Sequence, residues 1–188
     1  MSTLFRCCAA LAAVVFAGCT STGPLVPVVA PAPGFELSGR MTARYQDRVF
    51  SSALRWIQNG GSDELWLTAP LGQTIAYLRA DAEGATLTAA DRKQYRANSI
   101  ESLTRSALGW RFPVAGLRYW VLGQTAPGMA LTAVERDGAS RITRFRQDDL
   151  RVTFNYAEPG ALRPLRVEVA GGEAEIRLVI DSLSTPQP

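Results

Sequence analysis

Apolar and polar side chains alternate along most of this 188-residue chain, beginning near residue 35. In the first such segment, Phe35, Leu37 and Met41 share one side and polar or charged residues take the other. A period of two predicts strands with one buried face. Segments of this kind predict ten strands, at residues 35–43, 50–56, 64–69, 74–80, 85–89, 131–135, 142–146, 152–156, 165–169 and 176–180.

Turn-forming pairs separate several of these segments. They are Gly60-Gly61, Asp137-Gly138 and Gly171-Gly172. Short turns join antiparallel neighbours, so successive strands are expected to pair with one another. A sheet of about ten strands curls strongly or closes.

One stretch in the middle of the chain has a helical spacing instead. Its apolar positions are Ile100, Leu103, Ala107 and Leu108. Asn98 with Glu101 three residues later has the pattern of a capping box, and Gly109 stands where a helix would end.

A second short helix is predicted after Pro113, with Gly123 as its stop. Its apolar face comprises Val114, Leu117, Trp120 and Val121. The pattern therefore predicts a β-dominated α+β fold of ten or eleven strands, in which a two-helix insertion covers the concave face of the sheet.

The N-terminal segment has the parts of a secretory signal. Arg6 precedes an uncharged run over residues 7–18, which is too short to span a bilayer. Small residues directly before Cys19 resemble the lipobox of bacterial lipoproteins, although Phe16 stands where leucine is commoner. The alternative is an ordinary signal peptide with an incidental cysteine. Thr20 in place of aspartate favours the outer membrane, facing the periplasm, by the same resemblance.

Residues 20–34 contain four prolines and no charged side chain. This composition predicts an extended tether, and 15 residues at about 3 Å each reach roughly 45 Å. The expected organisation is a signal peptide at 1–18, a lipidated tether at 19–34, one domain at 35–183 and a short tail at 184–188.

Composition removes several function classes. The chain has no histidine, so a Ser-His-Asp triad is excluded and a zinc site is improbable. Cys7 and Cys8 fall within the predicted signal, which leaves Cys19 alone in the mature chain. The sequence contains no cluster of basic residues interleaved with aromatic ones, so it gives no indication of nucleic-acid binding. The acidic pairs Asp63-Glu64 and Asp148-Asp149 are interpreted as solvated charges near turns, and we expect neither an enzyme nor a cofactor.

Several motifs together resemble the LolB family of outer-membrane lipoprotein receptors. In chain order they are Phe35 to Arg40, Trp56, Leu65-x-Leu67-x-x-Pro70-Leu71-Gly72, Leu108-Gly109, Pro113 to Gly123 with Leu117 and Trp120, and Gln147-Asp148. The resemblance implies an incomplete antiparallel β-barrel with an apolar interior for acyl chains. It also implies that the chain accepts acylated lipoproteins from the periplasmic carrier LolA and inserts them into the outer membrane. We expect a monomer anchored by its N-terminal lipid.

On this resemblance, nine apolar residues are candidates to line an acyl-chain cavity. They are Met41, Leu54, Trp56, Leu65, Leu67, Leu78, Leu103, Leu117 and Trp120. The alternative for each is an ordinary core position, because alternating apolar side chains form the core of any sheet.

Two further sites carry hypotheses. Pro70 and Gly72 are typical of a turn and place Leu71 at the tip of a loop. That leucine either folds back into the core or projects to contact a membrane, as the matching loop does in LolB-like proteins. Arg40 either reaches solvent or orients a head group or partner.

Two other functions remain open from the sequence. One is a lipid-anchored, lipocalin-like module that binds a small hydrophobic ligand. The other is a structural lipoprotein of an envelope assembly. The first does not require the Leu71 tip or the central pair of helices, and the second would use its apolar surface as an interface with other proteins.

Overall fold

The computed structural model describes residues 34–172 and 174–185, which form one antiparallel sheet of eleven strands and two helices. The strands are β1 (Phe35–Tyr45), β2 (Arg48–Asn59), β3 (Ser62–Thr68), β4 (Thr74–Asp81), β5 (Gly84–Ala89), β6 (Gln94–Ala97), β7 (Leu131–Arg136), β8 (Ile142–Gln147), β9 (Leu150–Asn155), β10 (Arg166–Gly171) and β11 (Ala174–Ser184). The helices are α1 (Ile100–Leu108) and α2 (Val114–Trp120). The predicted signal peptide, Cys19 and the tether up to residue 33 lie outside the described residues.

The strands lie in the order β6-β5-β4-β3-β2-β1-β11-β10-β9-β8-β7. Successive strands therefore pair as predicted, and the first strand also pairs with the last. The sheet is open, because β6 and β7 lie at its two edges. This confirms the predicted fold class. The pattern missed β6, whose residues are mostly exposed and show no apolar alternation.

One face of the sheet is buried, and the alternation predicted which one. In β1 the side chains of Phe35, Leu37 and Met41 are buried, and their neighbours face outward. A bulge shifts the pairing of β1 with β11 at Gly39. A Cβ atom at Gly39 would overlap the backbone carbonyl of Val179, so only glycine fits this close approach.

Helix α1 begins one residue later than the predicted capping box places it. Its N-cap is Ser99, whose extended backbone lets the hydroxyl accept the N–H of Ser102 at 3.1 Å. Asn98 does not cap the helix. The Glu101 carboxylate instead accepts the N–H of Ala115 at 3.1 Å, which joins α1 to the start of α2. Gly109 ends the helix in the left-handed region, as predicted.

A buried ion pair fixes α2 to the sheet. Asp63 on β3 is fully buried and pairs with the guanidinium group of Arg118 on α2. The Trp56 indole N–H also donates to this carboxylate, at 3.0 Å. The interpretation of Asp63 as a solvated charge was wrong, because the partner that stabilises it lies 55 residues away in sequence.

The Gln147-Asp148 pair holds the segment between α2 and β7. The buried amide oxygen of Gln147 accepts N–H groups from Trp120 and Ala126, each at 2.8 Å, and its amide nitrogen donates to the Ala126 carbonyl at 2.6 Å. Asp148 accepts the N–H of Ala130 at 2.9 Å. Such a satisfied network specifies one position for α2 over the sheet. Among the described residues, neither helix is long or apolar enough to cross a membrane.

Candidate functional site

An apolar cavity of about 430 Å³ lies between α1 and the inner face of strands β1 to β5. Its lining comprises Met41, Ala43, Tyr45, Arg48, Val49, Phe50, Leu65, Leu67, Ile75, Ala76, Leu78, Leu87, Leu103, Thr104, Ala107, Leu108, Trp110 and Phe112. Arg48 is the single charged residue of this lining. The volume falls within the range of small-ligand pockets, so the cavity suits an apolar chain.

The structure divides the nine predicted cavity residues into two groups. Five of them line the cavity, namely Met41, Leu65, Leu67, Leu78 and Leu103. The other four, Leu54, Trp56, Leu117 and Trp120, are buried in the core outside the lining. Leu117 and Trp120 lie on the buried face of α2 itself, and Trp56 donates to Asp63, the carboxylate that pairs with Arg118 of α2.

Aromatic side chains form one wall of the cavity that the sequence did not assign. Trp110 follows α1, stacks with Tyr45 at 6.4 Å between ring centroids and meets Phe112 edge-on at 6.0 Å. The sequence gives little indication of this wall, because Trp110 and Phe112 lie in a loop that shows no hydrophobic periodicity. Trp66 lies elsewhere, against Tyr77 and the Arg55 guanidinium, each at 5.1 Å.

Exposed apolar side chains surround the opening of the cavity. Val49, Phe50 and Leu108 line it and are exposed by 59%, 37% and 50%. Val49 and Phe50 stand at the start of β2, so the opening lies beside the turns that join β1 to β2 and β3 to β4. We call this the mouth end of the sheet. The opposite end, where the described chain starts at Gly34, is the base end.

Leu71 projects from the mouth end. Its side chain is 91% exposed, and the neighbouring Pro70 and Gly72 are exposed as well. The turn is defined by backbone bonds from Ala69 to Gln73 and from Gly72 to Ala69, each 2.8 Å. Leu71 therefore does not fold back into the core, and the loop holds it on the same side as the cavity opening.

Arg40 lies on the convex face, away from the cavity. Its guanidinium group forms an exposed ion pair with Asp181 on the adjacent β11, at 2.9 Å. A role for Arg40 in orienting a head group stays a prediction that this placement does not support.

An open antiparallel sheet whose inner face and covering helix enclose an apolar cavity defines the class of domain, a curved sheet with a hydrophobic pocket. The comparison with known sequences is specific. The family model described as outer membrane lipoprotein LolB matches residues 33–182. The chain therefore belongs to the LolB family, which confirms the resemblance found in its motifs.

Several relatives named outer-membrane lipoprotein LolB align over most of their length. That of Thiobacillus denitrificans is 36% identical over 170 residues, covering 88% of this chain and 89% of the relative. That of Nitrosomonas europaea is 35% identical, covering 78% and 71%, and that of Stutzerimonas stutzeri is 31% identical, covering 96% and 95%. A solved domain from Vibrio parahaemolyticus is 12% identical with a TM-score of 0.47, covering 84% of this chain and 87% of that one.

Proposed function

We propose that this protein is an outer-membrane lipoprotein receptor, anchored through acylated Cys19 and facing the periplasm. It accepts acylated lipoproteins from a LolA-like periplasmic carrier and inserts them into the outer membrane. The observation that carries the proposal is the open apolar cavity under α1. The names of the relatives support the same function.

The transfer needs no chemical reaction. Each buried methylene is worth about 0.8 kcal/mol, so an acyl chain is worth roughly 10 kcal/mol and must stay out of water during the crossing. A carrier and a receptor with similar apolar cavities exchange the chain at little cost. A difference of about 1.4 kcal/mol biases the exchange tenfold, and the bilayer then provides a deeper apolar phase.

The cavity is of the size that suits one small ligand. A volume of about 430 Å³ lies within the usual range for such pockets, whereas a triacylated lipoprotein brings three acyl chains. We therefore propose that α1 shifts away from the sheet to enlarge the cavity when cargo enters.

The two helices are attached to the sheet very differently. This difference supports a moving α1 and a fixed α2. The described contacts fix α2 through the buried Asp63 and Gln147. In contrast, α1 buries only Ile100, Leu103 and Thr104, and its C-terminal half is exposed. The Thr104 hydroxyl accepts the Phe112 N–H at 2.9 Å, so the end of α1 and the aromatic wall are expected to shift together.

The exposed Leu71 completes the proposal. Leaving a leucine in water forgoes about 1.5–3 kcal/mol, which a membrane contact would recover. Because Leu71 and the cavity opening share the mouth end, cargo leaving the cavity would meet the bilayer where Leu71 enters it.

A cavity-filling substitution tests the central step. Ala76 is half-buried in the cavity lining, and Ala76→Phe would displace the volume of about two methylenes or more. The loss of roughly 1.6 kcal/mol of acyl contact predicts an approximately tenfold weaker acceptance of triacylated lipoprotein from its carrier. The measurement is transfer to a chain that begins at Thr20.

The matched control is Ala53→Phe, which places the same side chain on the exposed face of β2, two strands away in the same sheet. This variant is expected to accept cargo normally. Equal acceptance by both variants would contradict the proposed use of the cavity, and no acceptance by the unmodified chain would favour a small-ligand module or a structural lipoprotein.

A further inference from the structure

A second leucine projects into solvent at the opposite end of the molecule. Leu162 lies in the loop between β9 and β10 and is 91% exposed, as much as Leu71. The register of the antiparallel strands places this loop at the base end, beside the start of β10. Neither the cavity nor the proposed mouth-end contact uses Leu162.

The Leu162 loop is held in place from one side by Arg141. The Arg141 guanidinium group donates to the carbonyl oxygens of Glu158 and Ala161, each at 2.9 Å, and lies 4.2 Å above the centre of the Tyr156 ring. Asp137 pairs with the same guanidinium group at 2.7 Å, and the hydrogen bond from Arg141 lowers the pKa of the Asp137 carboxyl. Arg141 thus holds this loop at three residues, while Asp137 holds Arg141.

The other side of the loop is attached to the last strand. Arg163 donates to the Leu183 carbonyl at 3.4 Å and to the Thr185 hydroxyl at 3.1 Å, and Pro164 is buried. The side chain of Leu162 is therefore directed into solvent by a loop whose flanking residues are fixed. Contact with an apolar phase would recover about 1.5–3 kcal/mol for a leucine presented in this way.

The neighbouring chain start indicates what that apolar phase is. Leu183, which Arg163 contacts, pairs with Leu37 near the beginning of β1. Leu162 and the start of β1 are thus separated by one strand, or about 10 Å at the usual strand spacing. From that point 15 residues lead to the predicted lipid at Cys19, so the anchored membrane lies within reach of Leu162.

We propose that Leu162, with Arg163 beside it, forms a second membrane contact on which the base end rests while the protein waits for cargo. The leucine would enter the boundary between head groups and acyl chains, and the arginine would lie among anionic head groups. This inference rests on the proposed lipid anchor. It directs the cavity opening away from the membrane, toward an arriving carrier.

The two leucine tips then serve two orientations. Strand β1 has 11 residues and spans roughly 35 Å, which sets the distance between the base and mouth ends. The predicted tether reaches about 45 Å when extended, so it is long enough for the domain to turn over. Leu162 contacts the membrane during reception and Leu71 contacts it during delivery.

The test uses the mature lipidated protein in vesicles of phosphatidylethanolamine and phosphatidylglycerol. Leu162→Cys and Leu71→Cys are each labelled with an environment-sensitive fluorophore, since the acylated Cys19 offers no free thiol. Without cargo, we expect blue-shifted emission and quenching by brominated lipid at position 162, and neither at position 71. Quenching at both positions, at neither, or at position 71 alone would overturn the proposal.

Two measurements in the same vesicles separate this proposal from the receptor function. Mass measurement of the N-terminus establishes the anchor, and transfer from the carrier establishes acceptance of cargo. A protein that accepts cargo without quenching at position 162 overturns only the resting contact. Quenching at position 162 without acceptance overturns only the receptor function.

Discussion

At the scale of single residues, the most informative side chains are those that the fold leaves in water. Leu71 sits on a turn closed by two backbone hydrogen bonds, so its exposure follows from the turn and not from a missing contact. The positive φ angle of 85° at Gly72 favours glycine, which lets the chain return to β4 directly after the tip.

Leu71→Glu is expected to impair delivery and leave folding unchanged. The side chain contacts solvent, so its replacement removes no packing, whereas a carboxylate at the tip opposes entry into the bilayer. We expect roughly tenfold or greater loss of lipoprotein insertion into vesicles, with unchanged thermal unfolding and unchanged acceptance from the carrier.

The control for this substitution is Gln73→Glu, which adds the same charge to an exposed position of the same loop. Normal insertion by this variant would show that charge alone is not responsible. If Leu71→Glu unfolds, or if it delivers lipoproteins normally, the proposed role of Leu71 in delivery is contradicted.

At the scale of the elements, the attachment of α2 contrasts with that of α1. Gly116 permits Trp120 to pack across the helix, since a Cβ atom there would overlap the indole ring. Trp120 in turn bonds to Gln147 on β8, and Arg118 bonds to Asp63 on β3. Helix α2 thus connects both halves of the sheet, and it is the fixed element in our proposal that α1 moves.

Removing the buried carboxylate is expected to loosen this connection. Asp63→Ala leaves the guanidinium group of Arg118 and the indole N–H of Trp56 without their acceptor. Loss of one partner of a buried pair costs about 3–5 kcal/mol, and the 29% exposure of Arg118 places the expected loss near the lower figure. Denaturant unfolding monitored by tryptophan fluorescence measures it.

An exposed ion pair provides the comparison. Asp181→Ala breaks the ion pair between Asp181 and Arg40, whose side chains are 50% and 68% exposed, respectively. This loss is expected to cost less than about 1 kcal/mol of folding stability. Similar losses for Asp63→Ala and Asp181→Ala would contradict the role assigned to the buried pair.

The sequence predicted the elements better than it predicted the contacts between them. Strand β1 could be predicted because burial of one face imposes a period of two on its sequence. Strand β6 could not be predicted, because its exposed residues show no such alternation. Asp63 resembles any charge near a turn, since its partner Arg118 is distant in sequence. Similarly, Leu54 and Leu65 show the same alternation, although only Leu65 lines the cavity.

At the scale of the whole molecule, one open sheet combines a tightly packed half and a half that encloses the cavity. Strands β8 to β11 carry the tightly packed part around Phe145, Phe154 and Leu178. Strands β1 to β5 face α1 across the cavity. Exposed leucines stand at both ends, and on our proposal each end in turn contacts a membrane.

The most direct test of the central claim is to locate the acyl chains of bound cargo. A lipoprotein that carries a photoactivatable fatty acid is transferred from its carrier, crosslinked by light and mapped by mass spectrometry. We predict crosslinks to cavity residues such as Met41, Leu67, Ile75 and Leu103. Crosslinks confined to the convex face, for example at Arg40, Ala53 or Trp66, would contradict it.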